Sequence, residues 1–178
     1  MRRVQRKDTS AQNLLWNLSA GYLTSVCRRY ITDEQEVKDI LQEAYIKIYS
    51  KIGSFSYKGK GSLKAWMTRI VVNDSLKQLK KKRGLSLDVL LPVMPDVAEE
   101  DTDPGLSDIP AKVILDMIRS LPDGYRTVFN LFAVEDKSHK EIARMLGIKE
   151  NSSASQYFRA KAMLGRMIKE YKKEHYDG

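Results

Sequence analysis

An all-α fold of two small helical domains is predicted by three features of this 178-residue chain. Apolar residues recur at i, i+3, i+4 and i+7 through most of it, the spacing of one helix face. Charge and proline divide it: residues 1–83 hold 18 Lys and Arg against 7 acids, residues 84–111 hold 7 acids and no cation, and residues 112–178 hold 13 against 9. The stretch Ser138–Lys161 reads as two short helices joined by a tight turn. The expected organisation is therefore a first helical domain over 1–83, an acidic linker over 84–111, and a four-helix unit over 112–178.

In the first domain, residues of about 10–31 place Leu14, Leu15, Leu18, Tyr22, Val26 and Tyr30 on one side of a helix. The clearest helix follows, with Val37, Ile40, Leu41, Ala44, Tyr45, Ile48 and Ile52 inward and Lys38, Asp39, Gln42, Glu43 and Lys47 outward. Gly53–Ser62 is a loop holding Phe55, Tyr57, Lys58, Gly59, Lys60 and Gly61. A third helix from about Leu63 buries Trp66, Met67, Ile70 and Val71 and ends in a basic run. The linker's Pro92, Pro95, Pro104 and Pro110 break helices and remove backbone donors. Its apolar stretch Leu85–Met94 is too apolar for an inert spacer, and part of it is expected to dock.

In the second domain, Val113, Ile114, Met117, Ile118 and Leu121 make one helix, stopped before Pro122 because the residue preceding proline avoids the helical region. Tyr125, Val128, Phe129, Phe132 and Ala133 make the next. Ser138 and Glu141 have the spacing of a capping box, and Gly147 stands where a helix end wants a left-handed residue. Asn151, Ser152 and Ser153 offer caps for the last helix, which continues through Leu164, Met167, Ile168 and Tyr171. This is the layout of a helix-turn-helix, whose second helix enters the DNA major groove. That helix carries Ser155, Gln156, Phe158, Arg159 and Lys161, which suit a groove better than a core.

Composition narrows the function. The net charge of +8 favours a polyanionic partner, most simply nucleic acid. One cysteine and two histidines leave no disulfide framework and few metal ligands, so no metal or cofactor is expected, and Cys27 reads as a buried hydrophobe. There are no paired carboxylates in a pocket-like context, no nucleophile elbow and no P-loop. No catalytic residue and no small-molecule substrate are assigned. No apolar run nears a membrane span, and no signal-peptide core follows the basic start. A cytoplasmic protein without membrane insertion is expected.

Two stretches together carry a specific resemblance. Ile118–Leu164 is similar to the C-terminal DNA-binding domain of bacterial sigma factors, and residues 36–83 resemble the sigma domain that binds the promoter −10 element. Asp39-x-x-Gln42-Glu43 and Trp66-x-x-Arg69-Ile70-x-x-Asn73 stand in register. The order, sizes and linker resemble the small two-domain factors of the extracytoplasmic-function (ECF) group of the sigma-70 family. The resemblance implies a protein that binds core RNA polymerase and promoter DNA, recognises −10 and −35 elements and answers to an anti-sigma factor.

The same resemblance implies residue roles. Lys38, Asp39, Gln42 and Glu43 would dock on a coiled coil of the largest polymerase subunit; the alternative is a solvated face. The loop would accept a −10 base, with Lys58 and Lys60 neutralising phosphates, and Phe55 and Tyr57 stacking on a base or on each other. Arg69, Asn73 and Lys77 would contact −10 DNA, while Asn73 could instead be a satisfied core amide and Trp66 is expected in the core. Gln156 could read adenine, Arg159 guanine or a phosphate, and Phe158 a thymine methyl or the interior. Ser153 replaces a valine common in the family, and Ala154 and Gln156 replace basic residues, leaving the −35 sequence open. The acidic linker would thread toward the polymerase active centre. Two rival functions remain: an autonomous helix-turn-helix regulator, and a sigma-like polymerase adaptor without promoter recognition.

Overall fold

The computed structural model describes residues 4, 6, 8–83 and 109–176, so most of the acidic linker, including Leu85–Met94, lies outside the described residues. Every described element is a helix, and the chain forms two compact units, Met1–Lys82 and Arg83–Gly178.

The first unit is a bundle of α1 (Thr9–Arg28), α2 (Glu34–Lys51) and α3 (Ser62–Arg83), with one 3₁₀ turn, Ile52–Ser54, after α2. Local chemistry starts the first two helices. The Asp8 carboxylate accepts from the Ala11 amide at 3.1 Å and the Asp33 carboxylate from the Glu36 amide at 2.9 Å, each satisfying a donor with no helical partner. α2 buries Val37, Ile40, Leu41, Ala44, Tyr45 and Ile48, as its periodicity predicts. Cross-links set the helix directions. Tyr22 meets Thr68 at 3.0 Å and Cys27 meets Ser75 at 3.5 Å, so α1 and α3 run parallel. Lys47 meets Asp74 at 2.5 Å and Glu36 meets Lys82 at 2.7 Å, so α2 runs against α3.

α1 departs from the expected register. Leu14 and Leu18 point outward, Leu18 with 76 % of its surface exposed, while Ser19, Leu23, Val26 and Cys27 fill the interior. The reason is Ser19. Its hydroxyl donates to the Leu15 carbonyl at 2.6 Å, which leaves its oxygen to accept from the Tyr45 hydroxyl at 2.7 Å. A serine satisfied twice is cheap to bury, and with Ser19 inward, Leu18 one residue away and Leu14 five residues away lie about 100° and 140° round the helix from it, at about 100° per residue.

The second unit comprises α4 (Ala111–Ser120), α5 (Asp123–Phe129), α6 (His139–Leu146) and α7 (Glu150–Tyr176). α4 stops at Leu121, whose ψ of 146° is extended, directly before Pro122. Leu121, Tyr125, Ala160 and Leu164 form a core cluster on which Met117, Ile118, Phe129, Met163 and Met167 pack. The predicted helix through Ala133 changes character after Phe129. Asn130–Val134 is a π-helical turn closed by the Glu135 amide on the Asn130 carbonyl at 3.0 Å, and Ala133 is exposed. Arg126 is 3 % exposed. Its Nη1 donates to the Arg119 and Leu121 carbonyls at 3.0 and 2.7 Å, and its Nη2 to Asp123 Oδ1 at 2.5 Å. This guanidinium fastens the end of α4 to α5.

Candidate polymerase and nucleic-acid interfaces

The outer face of α2 is built by helical spacing. Lys38, Asp39, Gln42 and Glu43 are all exposed, opposite the buried row Val37, Ile40, Ala44 and Ile48. Gln35 donates to Asp39 Oδ1 at 3.1 Å, and Lys47 stands 3.8 Å from Glu43 while bonded to Asp74. These links pre-orient two acids one turn apart, the arrangement an arginine-bearing partner needs. The sequence reading overlooked Ile46. It is 69 % exposed on this polar stripe, one turn from Gln42. A single exposed apolar side chain is ordinary on a protein surface, so Ile46 adds a nonpolar contact point to the stripe without itself marking a partner.

The loop after α2 is shaped by two glycines. Gly59 (φ 108°) and Gly61 (φ 87°) adopt conformations that strain other residues. Ser62 closes the loop: its hydroxyl accepts from the Lys58 amide at 3.2 Å and donates to the Gly59 carbonyl at 2.8 Å. Phe55 packs on Trp66 with ring centroids 5.4 Å apart, so Trp66 is half-buried against the loop and Phe55 does not stack on Tyr57. Tyr57, Lys58 and Lys60 are exposed. On α3, Arg69, Asn73 and Lys77 follow one another at four-residue spacing and are all exposed. Asn73 is thus not a core amide; it lies on the same outward stripe as two cations.

In the second unit the turn is locally determined. Glu141 Oε2 accepts from the Ser138 amide at 2.9 Å while Ser138 Oγ accepts from the Glu141 amide at 3.3 Å. The Ser138 backbone bond holds the Glu141 carboxyl below its ordinary pKa. Gly147 ends α6 with φ 74°, its amide and that of Ile148 both reaching the Ala143 carbonyl. α7 then presents Ala154, Ser155, Phe158 and Lys161 outward, with Arg159 half-buried beside them. Gln156 does not share that face. It is 3 % exposed, so its amide is not offered to a base edge. Helical geometry explains the correction: position 156 is on the side of Ser153 and Ala160, both fully buried. Ser153 holds His139 Nδ1 at 3.0 Å, and His139 stacks on Phe132 at 4.5 Å. Both departures from the family pattern at 153 and 156 therefore face the interior between helices, and Ala154 alone faces out.

The family described as Sigma-70 region 2 matches residues 15–84, and the one described as Sigma-70, region 4 matches residues 111–164. The RNA polymerase sigma-H factor of Pseudomonas aeruginosa is 30 % identical over 182 residues, spanning 93 % of this chain and 90 % of the relative. The chain belongs to the sigma-70 family, in its ECF group. The ECF RNA polymerase sigma-E factor of Haemophilus influenzae is 27 % identical over 93 % of this sigma factor and 92 % of the relative. SigW of Bacillus subtilis is 26 % identical over 96 % and 95 %. The solved complex of the sigma factor RpoE with the anti-sigma factor NepR from Bartonella quintana shares the fold, with a TM-score of 0.51 at 19 % identity over 88 % of this chain.

The matched families thus fall one on each compact unit of the sigma factor, with the outward stripes on α2 and α3 in the first and on α7 in the second. Among the described residues, no helix is long and apolar enough to cross a membrane, and no cluster of three His, Cys, Asp or Glu stands ready for a metal.

Proposed function

We propose that this sigma factor divides promoter-directed initiation between its two units. It binds core RNA polymerase and directs promoter-specific transcription initiation. The first unit, 1–83, engages polymerase through Lys38, Asp39, Gln42 and Glu43, and −10 DNA through Lys58, Lys60, Arg69, Asn73 and Lys77. The second unit, 112–178, reads the −35 element with Ser155, Phe158, Arg159 and Lys161, and residues 84–111 join the two. The observation that carries this division is the pair of family matches, one per unit and in order. The roles within each unit rest on exposure: each of these side chains is exposed except Arg159, which is half-buried. An anti-sigma factor belongs among the partners. The protein works in the cytoplasm with polymerase and DNA and performs no covalent chemistry of its own.

The test is run-off transcription with purified bacterial core polymerase on a pool of promoter fragments. Discrete new start sites that disappear with Asp39→Asn/Glu43→Gln support the reading. Tight duplex binding by the protein alone, with no stimulation of polymerase, overturns it in favour of an autonomous regulator. Stimulation that ignores the −35 sequence favours the adaptor.

A further inference from the structure

The helix that carries the −35 readers does not end where the family match ends. Sigma-70 region 4 matches to residue 164, but α7 runs unbroken to Tyr176. The last twelve residues bring Arg166, Lys169, Lys172 and Lys173 against Glu170 and Glu174. Position on the helix is the informative part. Asn151, Ser155, Phe158, Ala162, Arg166, Lys169 and Lys173 succeed one another at steps of three and four, which keeps them on one face. Arg166, Lys169 and Lys173 are exposed, while Ala160, Leu164 and Ile168 are buried on the opposite side. Glu170 and Glu174 sit on the flank, turned roughly 60–100° from the centre of the cationic row at about 100° per residue. The reading face of α7 therefore becomes, without a break, a row of cations.

Distance gives the row a partner. At about 1.5 Å rise per residue, Arg166 stands about 12 Å beyond Phe158, and Lys173 about 22 Å beyond it. The major groove is about 12 Å wide. A recognition helix reads bases with its N-terminal residues, so with Ser155 and Phe158 in the groove, Arg166 reaches its phosphate lip. Lys169 and Lys173 then extend over the flanking backbone.

We infer that Arg166, Lys169 and Lys173 form a phosphate-binding rail that clamps the duplex backbone flanking the −35 element, adding affinity without reading sequence. The inference rests on the proposed −35 role of α7. It is tested with holoenzyme on promoter fragments bearing an intact or a scrambled −35 element. The dissociation constant is measured against salt for the natural protein and for Arg166→Gln/Lys169→Gln/Lys173→Gln. Three lost phosphate contacts at about 0.9 each lower the salt slope by about 2–3. The preference for intact over scrambled −35 stays the same. A charge-preserving variant, Arg166→Lys/Lys169→Arg/Lys173→Arg, keeps the natural slope.

An unchanged slope in the glutamine variant overturns the rail. So does an equal loss in the charge-preserving variant, which points to helix disruption. Weakened core-polymerase binding with an unchanged DNA slope assigns the row to polymerase instead. If the natural holoenzyme does not distinguish intact from scrambled −35, the parent reading itself fails and takes the rail with it, a result separable from the other three.

Discussion

Replacing Arg126 with methionine should destabilise the second unit while sparing the first. The arginine is 3 % exposed and serves the Arg119 and Leu121 carbonyls and the Asp123 carboxylate. Methionine keeps an unbranched apolar stem but stops short of the guanidinium, so the expected cost lies chiefly in the acceptors left behind. The Leu121 carbonyl bond is buried, and an orphaned buried acceptor costs about 1–3 kcal/mol. The Arg119 carbonyl is only partly buried and adds less, about 0.5–1 kcal/mol. The Asp123 side chain is 35 % exposed, so water takes over there at little cost. The sum is about 2–4 kcal/mol, a large share of the stability of a domain of this size. At about 4–8 °C per kcal/mol for a small domain, the second unit's Tm falls by about 10–30 °C. Hydrogen exchange read by peptide should show faster exchange across 111–176 and natural protection in α1–α3. Arg126→Lys, a single point donor, should recover less than half of the loss. A methionine variant within about 1 kcal/mol of the natural protein would refute the assignment of Arg126 as the fastener of α4 to α5.

Three further outcomes follow from other sites. The lowered Glu141 pKa means its capping box stabilises α6 above the ordinary glutamate value of 4.5, and that this contribution is lost as pH falls through the lowered native value. The Tm gap between the natural protein and Glu141→Gln should therefore narrow on acidification; a gap that widens contradicts it. Gly61→Ala forces an L-residue to φ 87°, a strain of about 1–3 kcal/mol with open space for the methyl, so the loop alone is perturbed. Open complexes measured by permanganate footprinting should decline, with −35 duplex binding intact; loss of both would show damage beyond the loop. Gln156→Met, at a buried position, should leave the order of preference among −35 variants unchanged in transcription competition, and a changed order would restore Gln156 as a base reader.

How much was legible in the chain depended on how local the cause was. α2 could be read from its residues because a 3.6-residue apolar rhythm and an Asp33 cap act within one helix. The same holds for the Ser138–Glu141 box and for Gly147, whose φ of 74° satisfies a need set by its own helix end. The acid-bearing stripe Asp39–Glu43 was equally legible, since what is outside follows once the inside is known, whereas Asn73 could be read either way and only the structure puts it on the outward row with Arg69 and Lys77.

Tertiary structure alone decided the cases in which a polar residue finds a partner on another element. Ser19 is buried because Tyr45 lies 26 positions away in sequence and beside it in space, and this turned Leu14 and Leu18 outward. Ser153 faces inward because His139 meets it, and Gln156 shares its side of α7. Arg126 is a structural fastener because the end of α4 offers it two carbonyls. Composition marks such residues as polar and therefore as surface, but Ser19, Ser153 and Arg126 are buried where another element meets their hydrogen bonds, while Gln156 is carried inward by its place on the helix. Periodicity thus determined which segments are helices and which faces are charged. Only the packed bundle determined which polar side chains those faces keep for a partner and which the interior consumes.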